Sequence, residues 1–175
     1  MKHLALFSIA ALATATIAQE PTKEALKAKG WGKLYFNSHL GSFKCIDGSG
    51  RMEFQFAGTV LVTKIQGTVT ATGNIKKEYE KNGRQVFSGR GNIVVDGKWR
   101  GVQWFGSDMV GSWYGSGAIR LIGEFDRNLQ TGDYWYDGDP IKQAWNGSSM
   151  VTATLPKPIY GADTDVVPVE RKKGG

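Results

Sequence analysis

The chain has 175 residues with 22 Lys and Arg against 16 Asp and Glu, a formal net charge of +6. That length suits one domain with a real core, and the mild, scattered excess of positive charge argues for no nucleic-acid partner. One cysteine, Cys45, excludes an intramolecular disulfide.

Met1-Lys2-His3 is a short basic opening, followed by the apolar run Leu4–Leu12, broken only by Ser8. Thr16-Ile17-Ala18 before Gln19 reads as a cleavage site, with Ala13-Thr14-Ala15 as the alternative. This layout predicts a signal peptide over residues 1–18. The destination is then secreted, periplasmic or cell-surface. Spanning a bilayer takes about 20 apolar residues, and no later stretch is long enough, so no stable membrane insertion is expected after cleavage. Loss of Lys2 with the leader lowers the formal balance to +5.

Residues 19–29 (QEPTKEALKAK) form a polar linker with at most one helical turn. The folded domain is expected over residues 30–155, and the Pro-containing basic tail, 156–175, is expected to be extended or disordered.

Within the domain almost every segment reads as strand. Gly41–Ile46, Arg51–Phe56, Thr59–Lys64, Ile75–Lys81, Arg84–Ser88 and Ser148–Leu155 are short and β-branched or aromatic, mostly bounded by Gly. Asp47-Gly48, Asn82-Gly83, Asp96-Gly97, Asp137-Gly138 and Asn146-Gly147 are dipeptides of the type I′ hairpin class. The reversals at Asn82-Gly83 and Asp96-Gly97 are the best flanked. No long segment after Lys29 carries a 3.6-residue apolar period. The expected fold is all-β and Gly-rich, a mainly antiparallel β-sandwich or barrel, with a β-solenoid as the alternative.

Phe87–Phe125 is the densest part, holding three of the six Trp and nine of the 24 Gly. The pattern Gly-x-Gly-x-apolar-x-apolar starts at Gly30, Gly48, Gly89 and Gly115. Uneven offsets between the copies argue against a strict repeat. Lacking the third glycine and a following helix, these are backbone corners rather than phosphate cradles.

Catalytic sets are incomplete. Once the leader is gone His39 is the only histidine, and Asn37-Ser38-His39-Leu40 has no nucleophile elbow. One His and one Cys make no zinc site, and no cofactor is expected. Glu53 and Glu124 are the best carboxylate pair for glycosidase chemistry, with Asp108, Asp126 and Asp133 nearby in sequence. Asp133, Asp137 and Asp139 offer oxygens around a turn, though not at the spacing of a helical calcium loop. Asn146-Gly147-Ser148 is a formal glycosylation sequon.

The aromatics remain. Trp104, Trp113, Tyr134 and Tyr136 are the candidate ligand-binding residues, for stacking on sugar rings or packing against protein. In Tyr134-Trp135-Tyr136 strand alternation sets Trp135 on the face opposite its neighbours. The function expected is non-catalytic: a secreted or envelope protein acting by binding or assembly. A glycan or small ligand, another envelope component or a second copy is the partner class, and a paired-carboxylate enzyme is the minor alternative.

Overall fold

The computed structural model describes residues 22–123, 130–146 and 150–158. The leader, Glu124, Asp126, most of the sequon and the tail beyond residue 158 lie outside the described residues. Among the described residues no helix is long and apolar enough to cross a membrane.

The linker holds a short helix, α1 (Lys23–Ala28). Thr22 caps it by accepting a hydrogen bond from the Ala25 N–H at 3.3 Å, and Gly30, at φ 64, lets the chain turn out of it. Leu26 is its one buried residue.

The other elements among the described residues are strands: β1 (Gly32–Thr63), β2 (Gln66–Lys81), β3 (Arg84–Gly123), β4 (Gln130–Tyr136), β5 (Gln143–Asn146) and β6 (Val151–Leu155). All ladders are antiparallel. They make one sheet in the order β2-β3-β1-β4-β5, with β6 added on β3. The sheet does not close into a barrel.

The short segments expected from the sequence are joined into three long strands of 32, 16 and 40 residues. Asn82-Gly83 does reverse the chain, with φ of 53° and 71°, and joins β2 to β3. Asp96-Gly97 and Asp47-Gly48 do not. Both lie inside continuous strands, because their neighbours are paired straight through: Asp96 with Arg51 and Thr68, Gly97 with Gly50 and Gly67.

β1 and β3 border each other twice. Phe43 pairs with Trp104 on one side and Leu121 on the other, and Trp104 pairs with both Phe43 and Val60. A continuous strand can have one partner along both edges only if the two-stranded ribbon winds into a coil and meets itself one turn on. The offset from Phe43 to Val60 sets that turn, about 56 Å of contour at the usual rise per strand residue.

Glycines line up where the coil needs them. Gly67, Gly97, Gly50, Gly115 and Gly32 are successive cross-strand partners, and so are Gly89, Gly58, Gly106, Gly41 and Gly123. Two glycine seams therefore run across the strands. At Gly50 (φ 113) a Cβ would run into the Tyr114 carbonyl oxygen, and at Gly97 (φ 133) into that of Gln66. Neither the dihedral nor the approach admits a side chain.

Between the seams side chains alternate in the manner of strands, and one set forms the core. Phe36, Phe43, Phe54, Phe56, Trp104 and Trp113 are fully or almost fully buried there. The Phe43 ring meets Phe54 edge-on, centroids 5.2 Å apart at 78°, a preferred aromatic geometry. The alternation slips at Asp47 (φ 51) and Asp108 (φ 52), where an extra residue is taken up as in a bulge.

Candidate ligand-binding face

Trp104 and Trp113 have no exposed surface, and Tyr134 and Tyr136 keep 9% and 8%. All four rings belong to the core. Alternation then puts Trp135 outside, half-exposed, on the other face of β4. Burial raises the hydroxyl pKa of Tyr134 and of Tyr136 above the usual tyrosine value. The Tyr136 oxygen accepts the Thr154 N–H at 3.3 Å, tying β4 to β6.

Three chain-distant segments build a different site. The stretch from α1 into β1 supplies Lys23, Lys27, Trp31 and Lys33, the end of β4 supplies Tyr136 and Asp137, and the segment after β6 supplies Pro156 and Lys157. They surround a cleft of about 300 Å³ lined by four lysines and one carboxylate. Asp137 is held by Lys23 at 3.3 Å, and Lys157 is satisfied by Asp139 at 2.6 Å. Lys27 has no ion pair among the described residues, so the cleft keeps an excess of positive charge. Lys29, beside it, lies over the Trp31 ring at 4.6 Å.

The cleft continues onto the outer face of the sheet. Tyr35 on β1 is registered with Trp135 on β4, and their rings stack with centroids 5.3 Å apart at 13°. Lys33 Nζ lies 4.7 Å from the Tyr35 ring centre and Lys142 Nζ lies 4.3 Å from that of Trp135. Ammonium groups over aromatic faces are attracted by the ring quadrupole. The result is a strip of rings and cations, Trp31–Lys33–Tyr35–Trp135–Lys142, with the stacked pair Tyr35–Trp135 between two lysines. Such a strip suits a ligand with stackable ring faces and negative charge.

Some of the sequence-derived catalytic candidates share a cleft, and others fall outside the described residues. Glu53 accepts hydrogen bonds from Arg51 at 3.3 Å and Asn92 at 3.1 Å; its proposed mate Glu124 is outside the described residues. Ser38, His39, Asp108 and Asp133 line one open cleft of about 460 Å³. Within it, Ser38 is buried, its hydroxyl without a hydrogen-bond partner among the described residues, whereas its neighbour His39 is exposed. Asp108 is engaged by Arg90 at 2.9 Å. Among the described residues no serine–histidine hydrogen bond forms. The acidic turn is likewise divided, with Asp137 on Lys23 and Asp139 on Lys157, and no group of three or more His, Cys, Asp or Glu could hold a metal ion among the described residues. Cys45 is buried, and burial pushes its thiol up to about 12 despite the hydrogen bond from Trp99.

No protein-family profile, curated protein or solved structure matches this chain.

Proposed function

We propose that this is an exported, non-catalytic all-β protein that binds an acidic glycan along the Trp31–Lys33–Tyr35–Trp135–Lys142 strip. The observation that carries the reading is the lysine-lined cleft beside Trp31, running into the stacked Tyr35–Trp135 pair. Sugar rings offer apolar faces to aromatics, and uronate carboxylates or sulfate esters pair with ammonium groups. The reading of an exported protein rests on the leader, and that of a binder on the lysine cleft and the ring pair beside it. In this view the curled sheet is a flattened coil whose halves face each other as in a sandwich, leaving the strip on an outer surface.

The test is a panel of neutral, uronate-containing and sulfated polysaccharides, read by intrinsic tryptophan fluorescence and calorimetry. Binding is expected for the acidic polymers, with a loss of about tenfold or more in Trp31→Ala, the scale of a desolvated ring contact. Equal affinity for neutral and acidic polymers, or unchanged binding in Trp31→Ala, would discard the assignment.

A further inference from the structure

β2 ends the sheet. It pairs with β3 along one edge, and among the described residues its other edge has no strand partner. Exposed edges carry unpaired N–H and C=O groups, and proteins usually guard them with charge. The second part of β2 is guarded in this way, since five of the six residues from Lys76 to Lys81 are charged. The first part is not. Gln66–Ile75 contains no charged residue.

That unguarded part is self-complementary. Lys64–Lys76 reads KIQGTVTATGNIK, which is the same in both directions by side-chain class, with Thr70 at its centre. Antiparallel pairing with a second copy about a two-fold axis at Thr70 sets Ile65 opposite Ile75, Gln66 opposite Asn74, Gly67 opposite Gly73, Thr68 opposite Thr72 and Val69 opposite Ala71. Each residue meets its like, as an isologous contact requires.

The facing of the side chains agrees. Thr68, Thr70 and Thr72 are exposed, whereas Ile65, Val69, Ala71 and Ile75 are half-buried and pack against the edge of the core. Those four are the apolar positions of the palindrome, and the two-fold pairs them with one another. A second copy therefore continues both the backbone ladder and the open end of the core. No charge is brought face to face except at the outermost Lys64 and Lys76. We propose that two copies of this chain dimerise by edge-to-edge antiparallel pairing of β2, centred on Thr70.

The full chain is examined by sedimentation velocity over a wide concentration range, together with single-cysteine crosslinking. A dimer is expected, and Thr70→Asp, which sets two carboxylates against each other at the axis, loses it at concentrations where the unaltered chain is dimeric. Thr70→Cys crosslinks to itself on mild oxidation, because opposed strand residues fall within disulfide reach. A mixture of Thr68→Cys and Thr72→Cys crosslinks as a pair, whereas Glu78→Cys, on the same strand beyond the palindrome, does not. Buried Cys45 does not compete. Monomer at every concentration, association that grows past the dimer, or Thr70→Cys reacting no faster than Glu78→Cys each overturns the proposal. Should Thr70→Asp fail to fold, the crosslinking comparison decides alone. Glycan binding by a strict monomer leaves the ligand assignment standing while removing this one.

Discussion

The indole N–H of Trp99 donates to the sulfur of Cys45 at 3.4 Å, joining residues 54 positions apart inside the coil. Both side chains are buried, so the thiol is shut away from solvent and its charged form is strongly disfavoured.

A pH dependence follows. The folded thiol titrates at about 12, against 9.0 for the free group. Between those values the unfolded chain gives up the proton while the folded chain keeps it. The unfolded state then binds fewer protons, and stability falls as pH rises. The contribution is fully present below pH 9 and decays toward 12, on the order of 4 kcal/mol over the whole span. Urea unfolding at pH 8 and pH 10.5 should show a larger loss for the unaltered chain than for Cys45→Ala. The comparison removes the tyrosine and lysine titrations common to both. Equal slopes would mean that the thiol is not desolvated.

The seams predict a graded response to alanine. Gly50→Ala meets both a forbidden dihedral and the Tyr114 carbonyl oxygen, and should cost about 3 kcal/mol or more. Gly30→Ala meets only the dihedral, with open space around it, and should cost about 1 kcal/mol. Denaturant midpoints of the two variants measure the difference, and similar values would count against close strand approach as the reason for the seam.

The buried tryptophans separate in the same kind of comparison. Trp113 Nε1–H donates to the Ser49 carbonyl at 3.1 Å, whereas Trp104 Nε1–H has no hydrogen-bond partner among the described residues. Trp113→Phe removes a made hydrogen bond; Trp104→Phe removes a donor that has none among the described residues. The first should cost about 1–2 kcal/mol more than the second, read by thermal or urea unfolding.

The lysine cleft predicts a salt effect on the proposed glycan binding. Raising sodium chloride from 0.05 to 0.5 M should weaken binding of an acidic polysaccharide about tenfold or more, as the screening length shrinks. Lys27→Gln should weaken binding at low salt and flatten that dependence. Salt-insensitive binding would place the ligand elsewhere.

Much of the strand content was legible because alternation and glycine corners are local signals. Tyr134-Trp135-Tyr136 shows where legibility stops. The opposition of Trp135 to its neighbours followed from the strand period, but which side faced the core depended on β1 and β5 alongside. Asp96-Gly97 looks like a reversal in isolation, and is a straight run because Arg51 and Thr68 pair across Asp96 on both edges. The lysine cleft draws on three distant segments and had one local trace, the alternation Lys27-x-Lys29-x-Trp31-x-Lys33. That trace is divided between a stretch read as linker and the start of a strand.

The two glycine seams also act as a ruler on the chain. Each seam residue is held opposite the next by the number of residues in one coil turn, so a single inserted residue inside β1 or β3 would slide every later glycine out of alignment and bring side chains against carbonyls. Changes in length are therefore confined to places no seam crosses, such as the Asn82-Gly83 turn and the segments between β3 and β6. Two homologues could differ freely there while sharing the same spacing of glycines through both long strands.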